Sequence, residues 1–397
     1  MGYEDWISYR YMVASKGRFL SFLNFVSIAG VAIGVASLIV VIGVMTGFGN
    51  NLRDKIIGTT PHIMIEKETG VHDFISIYKK LSSIPGVKAS SAYVQGNIFL
   101  ENAGQAKGLI VRGIDYERER IVTKLDQYLK KGSFKGLKDD GVVIGSELAR
   151  YFGYKLGDTI TIISPGSGIT GNGWRYKLKI VGIFSTGMAD YDMNLVLIDL
   201  AKAQKMFNMP RNVVTGIGVR LFDPYHAKRI KQQIYHILGY SFLIRSWIDI
   251  NRNLFDALFL EKWGLFIILT LMVLVASFNI ISTLIVTVTS KVHDIGILQA
   301  VGVPARSIRR IFTKQGVFIG SLGIFWGLVG GVGLSYILRT YVEVPKEIYS
   351  IDRVPVEIQL SDVLVIVSAA MIISFIATIY PAARAARLKP VDALRYE

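Results

Sequence analysis

The chain has no cysteine among its 397 residues. That excludes disulfides, a thiolate nucleophile and any thiolate metal site, and it is compatible with an oxidising compartment. No G-x-x-x-x-G-K-[ST] phosphate loop occurs, so nucleotide hydrolysis by that route is excluded. There is no G-x-S-x-G nucleophile elbow either. His62, His72, His226, His236 and His293 lack H-E-x-x-H spacing and have no cysteine partners, which argues against a zinc site. These absences predict a protein that is not an enzyme by itself.

Charge is missing in a more local way. Residues 19–52 hold no charged side chain, and neither do 263–290, 315–338 or 363–383. A helix needs about 20 mostly apolar residues to cross a hydrocarbon core of about 30 Å, so each run is long enough to span. The first run exceeds the apolar core of a secretory signal, which is about 7–15 residues long, and reads as a retained anchor. Spanning helices are expected at 25–48, 263–290, 315–338 and 363–383. With no acid or base inside them, a proton relay or ion-coupled carrier is disfavoured.

What charge there is sets the orientation. Arg10, Lys16 and Arg18 precede the first run; Lys291, Arg306, Arg309, Arg310 and Lys314 follow the second; Arg384, Arg387, Lys389 and Arg395 follow the fourth. Between the third and fourth runs the acids Glu343, Glu347, Asp352, Glu357 and Asp362 dominate. Lys/Arg-rich short loops stay in the cytoplasm. The segment 1–24, the loop 291–314 and the tail 384–397 are therefore expected inside, and 49–262 and 339–362 outside. The net charge of +15 is dispersed and flanks membrane, so nucleic acid is not an expected partner; membrane lipid is.

The large segment 49–262 can bury a core without cross-links. Strand-like runs rich in Ile, Val and aromatics recur at 62–66, 93–100, 109–113, 159–163, 176–184, 195–198, 215–219 and 242–245. Helical periodicity fits 74–82, 147–151, 200–207 and 224–238. The fold class expected is a membrane protein with four transmembrane helices plus a large extracytoplasmic α/β (α+β) domain between helices one and two. That domain divides into a membrane-proximal part (49–105 with 215–262) and a β-rich insertion (106–214). Between two of the strands, 164–173 carries four glycines and a proline, a composition that ends a ladder and makes a protruding tip.

The spanning runs also carry GxxxG spacings: Gly30/Gly34, Gly43/Gly47, Gly316/Gly320 and Gly323/Gly327. Such pairs let helix backbones approach closely, either inside one chain or across a dimer.

Several stretches are more particular. FVSIAGVAIGVASLIVVIGVMTGFGNNLRDKIIGTTPHI at 25–63, GVVIGSELARYFGYKLGDTITIISP at 141–165, VGIFSTGMADYDMNLVLIDLAKAQKMF at 181–207, KVHDIGILQAVGVPARSIRRIF at 291–312 and YPAARAARLKPVDALRYE at 380–397 resemble, in order, the LolC/LolE family of lipoprotein-releasing permeases. IGILQAVG is shared with a broader four-helix group that includes FtsX and MacB. The resemblance implies a permease subunit of an ABC transporter in the bacterial inner membrane. Such a transporter extracts acylated lipoproteins from the outer leaflet and passes them to a soluble periplasmic chaperone. It implies two copies of a cytoplasmic ATPase, with ATP and Mg held there and no cofactor in this chain, and a second permease subunit, the same or a sister chain. An FtsX/MacB-like permease, passing ATPase motion to a periplasmic hydrolase or efflux partner, is the alternative.

By position, the resemblance assigns ATPase coupling to Lys291, Asp294, Ile295, Gly296, Ile297, Leu298, Val301, Gly302 and Arg306, with Ile295, Ile297, Leu298 and Val301 as apolar contacts. It puts the acyl chains near Val41, Met45, Phe48, Trp263, Phe266 and Ile267. The chaperone hook falls on Gly166, Ser167, Gly168, Ile169, Thr170, Gly171, Asn172, Gly173 and Arg175. This loop is shorter and richer in glycine than the usual hook, and Lys177 and Lys179 extend Arg175 into a basic surface.

Overall fold

The computed structural model describes residues 3–13, 18–102, 104–138, 140–164, 174–343 and 353–387. The chain divides into a helical unit (1–50, 256–343 and 353–397) and an α/β unit (51–255 and 344–352). It opens with helices α1 (Tyr3–Val13) and α2 (Arg18–Thr59). Then come β1 (Ile63–His72), α3 (Phe74–Ser82), β2 (Val87–Asn102), β3 (Gln105–Ile114), α4 (Tyr116–Val122), β4 (Leu129–Gly132), β5 (Gly141–Gly145) and α5 (Ser146–Phe152). Next are β6 (Thr159–Ser164), β7 (Trp174–Phe184), α6 (Ala189–Asn194), β8 (Leu195–Asp199), α7 (Leu200–Met206) and β9 (Val213–Leu221). Helices α8 (Ala227–Leu238) and α9 (Trp247–Ile250) flank β10 (Leu243–Ser246). The chain ends with α10 (Arg252–Ser290), α11 (Val292–Ala300), α12 (Ala305–Tyr341) and α13 (Leu360–Ala386).

Among the described residues four helices, α2, α10, α12 and α13, are long and apolar enough to cross a membrane. Helix α2 has 42 residues and α10 has 39, about twice what a hydrocarbon core requires. The charge-free runs thus mark the lipid-compatible parts of longer rods. Inside the helical unit the glycine pairs serve close packing within one chain. A Cβ on Gly323, Gly327 or Gly331 of α12 would lie 2.7 to 3.0 Å from the Cβ atoms of Val31, Val35 and Ile39 on α2. Gly316 and Gly320 face Thr378 and Ser374 of α13, and Gly30 and Gly34 face Ala276 and Val273 of α10. In the α12 contacts with α2 and α13 both partners repeat every four residues, and on α10 the partners of Gly30 and Gly34 are three apart, so ridge meets groove along each crossing. Gly327→Leu is expected to lower the melting temperature of the detergent-purified chain, an overpacking cost of about 1–3 kcal/mol. Gly330→Leu, where the added Cβ meets nothing within 4 Å, is the control that leaves it unchanged.

Among the described residues of the α/β unit, ten strands form one mixed sheet. β2 pairs β3, β3 pairs β8, β8 pairs β5, β5 pairs β7, β7 pairs β6, and β6 returns to β2, so six strands close a ring. Closure removes the exposed edges an open sheet presents. The other end of β2 belongs to an open sheet, β2-β9-β1-β10. β2 leaves β9 after Tyr93, the residue where its pairing with β3 begins. A boundary at 105/106 therefore falls inside the β2–β3 hairpin, and the ring starts earlier, within β2. Side chains alternate about the ring: Val142, Ile144, Val196 and Ile198 join one core, while Val143, Leu195 and Leu197 join a second with Phe134 and Leu137.

Helix α2 ends against the open sheet through His62. Its backbone N–H donates to Val219 O (2.9 Å), its carbonyl accepts from Trp247 N (3.0 Å), and its Nδ1 accepts from Leu221 N (3.2 Å). Burial, helped by the Arg220 guanidinium, pushes its pKa down from 6.5 to about 4. The unfolded chain therefore takes up this proton first, between pH 6.5 and 4. Stability is unaffected by His62 above about pH 6.5 and falls as pH drops toward 4, by a total of about 3 kcal/mol. His62→Asn keeps an acceptor for Leu221 N and removes this component. Thermal melts of both chains at pH 7 and pH 4.5 should show the smaller acid loss in the variant.

Candidate functional site

At the end of the helical unit remote from α11, helices α2, α10 and α13 enclose a pocket of about 200 Å³ lined by Ile42, Phe259, Lys262, Trp263, Phe266, Asp362, Val365 and Ile366. Its walls are almost wholly apolar. Phe259, Trp263 and Phe266, at helical spacing on α10, form an edge-to-face ladder with centroids 6.2 and 5.6 Å apart. The polar atoms are matched to each other. Lys262 Nζ donates to both Asp362 oxygens at 2.9 and 2.8 Å, and Thr46 Oγ1 donates to Asp362 Oδ2 at 3.0 Å. A neutralised pair beside aromatic walls suits a hydrocarbon chain with a polar end, since burying a lone charge there would cost far more.

Of the six residues expected near acyl chains, Trp263 and Phe266 line this pocket. From α2 the lining residue is Ile42, while Val41, Met45 and Phe48 are half-buried outside the lining, and Ile267 is exposed on another face of α10. Phe259, Lys262, Asp362, Val365 and Ile366 were not expected. Phe259 and Lys262 precede the charge-free run, and Asp362 precedes the fourth one, so a search for uncharged spans passes over all three.

At the opposite end, 291–314 is not a loop but a helical hairpin: α11, a turn, and the start of α12. Gly302, at φ 98°, allows the turn. Its N–H donates to Gln299 O, and Val303 N donates to Leu298 O, both at 3.0 Å. Pro304 then precedes α12. Ile295 is 1% exposed and packs with Val288, Ile308, Phe312, Ala382 and Ala385, so it is a core residue and not a free contact. Gly296 is buried as well, and Leu298 is half-buried. Ile297 (46% exposed) and Val301 (81%), four residues apart, face outward. Lys291 Nζ pairs with Asp294 at 2.9 Å and lies over the Tyr11 ring, and Arg306 is exposed. Helix α1, which the sequence reading did not anticipate, braces α12: Tyr3 donates to Ser307, and Glu4 pairs with Arg310 and Lys314.

The hook assignment falls mainly on 166–173. Gly166, Ser167, Gly168, Ile169, Thr170, Gly171, Asn172 and Gly173 lie outside the described residues. The flanking ladder ends at the Ser164↔Trp174 pair. Arg175 Nε donates to Glu101 Oε2 at 2.9 Å, and Arg175, Lys177 and Lys179 alternate onto one exposed face of β7. Among the described residues no group of three or more His, Asp or Glu could hold a metal ion.

Residues 24–237 match the family described as MacB-like periplasmic core domain, and residues 266–390 match the FtsX-like permease C-terminal family. The lipoprotein-releasing system transmembrane protein LolC of Neisseria meningitidis serogroup B is 33% identical, over 99% of this chain and 99% of that protein. LolC of Xylella fastidiosa is 32% identical over 98% of each. LolE of Haemophilus influenzae is 29% identical, again over 98% of each. Similarity that runs from end to end, through both matched domains and all four apolar helices, settles the relationship: the chain belongs to the LolC/LolE family of lipoprotein-releasing system transmembrane proteins.

Proposed function

We propose that this chain is the permease subunit of an ABC transporter that extracts acylated lipoproteins from the outer leaflet of the bacterial inner membrane. It hands them to a soluble periplasmic chaperone and is driven by two copies of a separate cytoplasmic ATPase. A second permease subunit, identical or sister, completes the assembly. The termini and the α11–α12 hairpin face the ATPase, and the α/β unit faces the periplasm. The observation that carries this reading is the aromatic pocket between α2, α10 and α13, whose single ion pair is internally compensated. Such a pocket receives an alkyl chain without asking it to shed a polar partner. Lifting acyl chains out of lipid forfeits about 0.8 kcal/mol per CH₂, so extraction needs an energy source on another chain.

The test is release of an acylated lipoprotein from liposomes holding this chain with its ATPase, with and without chaperone. Release that requires both ATP and chaperone supports the reading. ATPase binding and lipoprotein capture without release points to an obligatory sister subunit. Absence of lipoprotein capture overturns it.

A further inference from the structure

A second cavity lies in the α/β unit, with different chemistry. It measures about 440 Å³ and is lined by Tyr78, Lys79 and Ser82 of α3, Val87, Lys88, Ala89 and Ser90 of β2, and Arg118 and Ile121 of α4. Three cationic residues line it, Lys88 with its Nζ 6.0 Å from the Phe222 ring centroid, and no carboxylate is part of the lining. Among the described residues neither Lys79 nor Lys88 has an ion-pair partner. Arg118 meets Asp115 only at 4.0 Å, with both side chains about half exposed, a contact of little energetic weight.

The wall between these cations is an uncovered strand edge. β2 pairs β9 from Val87 to Tyr93, but β3 covers the other side only from Tyr93 onward. On that open side Ala92 N donates to Tyr78 Oη at 2.5 Å. Successive residues of a strand turn their N–H groups to opposite sides, and the register is regular from Ser90 to Tyr93. The Ser90 N–H therefore leaves β2 on the same side as that of Ala92, and Ser90 is part of the cavity lining. Arg118 is held in place, its guanidinium stacked 4.4 Å from the Tyr78 ring centroid, and Tyr78 is itself fixed by the Ala92 bond.

We propose that this cavity binds a phosphate group, as a free phosphoryl compound or as a phospholipid headgroup. Lys79 and Lys88 supply charge, Arg118 supplies a planar fork, and Ser90 supplies neutral donors at the open strand edge. Oxyanions of this size are recognised by such a mixture of point charge, fork and backbone N–H. At about 440 Å³ the site has room for a phosphate with an organic substituent, and its charge is gathered at one concave place instead of along the track an extended acidic peptide needs. The inference does not depend on the lipoprotein reading, because it concerns a different unit and a different ligand.

The experiment is calorimetric titration of the full-length chain, in phosphate-free detergent at low salt. The probes are inorganic phosphate, glycerol 3-phosphate and monomeric dihexanoyl phosphatidylglycerol, with hexaglutamate as the peptide comparator. Saturable binding of a phosphate probe is expected. Lys79→Gln with Lys88→Gln should weaken it about tenfold or more, and Arg118→Lys should weaken it on its own. Lys130→Gln with Lys155→Gln, which removes the same charge from exposed positions elsewhere in this unit, should leave it unchanged. Stronger binding of the lipid probe identifies a headgroup site, and equal or stronger binding of the soluble probes identifies a free phosphoryl ligand. No saturable binding, an equal loss in the control pair, or binding of hexaglutamate alone overturns the proposal.

Discussion

With Val301→Asp in the reconstituted complex, the ATPase is expected to keep hydrolysing ATP while lipoprotein release per ATP falls about tenfold or more. Val301 and Ile297 are large apolar side chains facing outward from a helix whose opposite face is fixed by Ile295 in its core. Covering such a side chain against a partner gains about 1.5–3 kcal/mol, and a carboxylate there adds the cost of desolvating a charge. Ile297→Asp should behave alike. Ile295→Asp separates coupling from folding: it puts an unpaired charge among Val288, Ile308 and Phe312, so the chain should fail to accumulate in the membrane. The readouts are phosphate production and soluble lipoprotein on the same proteoliposomes, with membrane abundance by immunoblot. Unchanged release in Val301→Asp, with normal assembly, removes this helix face from the coupling path.

That contrast shows what the sequence discloses and what it withholds. The run IGILQAVG is legible as an apolar segment between charges, but its four apolar side chains look equivalent until the helix phase is known. The spans are legible because absence of charge over about 20 residues has few alternatives. The continuation of α2 to Thr59 is not, since Gly47, Gly49, Asn50 and Asn51 resemble a helix stop. The glycine at 47 answers to packing and not to a helix stop: a Cβ there would lie 2.0 Å from the carbonyl oxygen of Pro355. Strand β5, Gly141–Gly145, is not legible by alternation because all five residues are buried, which leaves a short apolar run. In the pocket, Trp263 and Phe266 are reached through the family resemblance, whereas the Lys262–Asp362 pair joins residues 100 positions apart.

Asp192→Ala should produce a large stability loss in the α/β unit. The carboxylate is fully buried within the TGMADYD segment. Oδ1 accepts from Thr186 N (2.9 Å) and Thr186 Oγ1 (2.7 Å); Oδ2 accepts from Ser185 Oγ (3.2 Å) and Gly187 N (3.3 Å). Gly145 lies so close that a Cβ would be 2.0 Å from the Asp192 carbonyl oxygen, which leaves the turn little room to relax. Lys55, on the part of α2 in the α/β unit, donates to Gly187 O at 2.9 Å, so the turn organised by Asp192 also receives the end of that helix. Truncation strands several buried donors at once, a loss of about 3–5 kcal/mol. For a unit of this size, that corresponds to a drop of about 6–20 °C in melting temperature. Asp192→Asn keeps one acceptor oxygen but turns an amide toward N–H and O–H donors, so it should fall between wild type and alanine. Lys55→Met deletes the link to α2 and leaves the carboxylate network in place; its loss should be the smallest of the three. Differential scanning fluorimetry of the purified full-length chains gives the order, and a melting temperature for Asp192→Ala equal to wild type would show that the turn is held by packing alone.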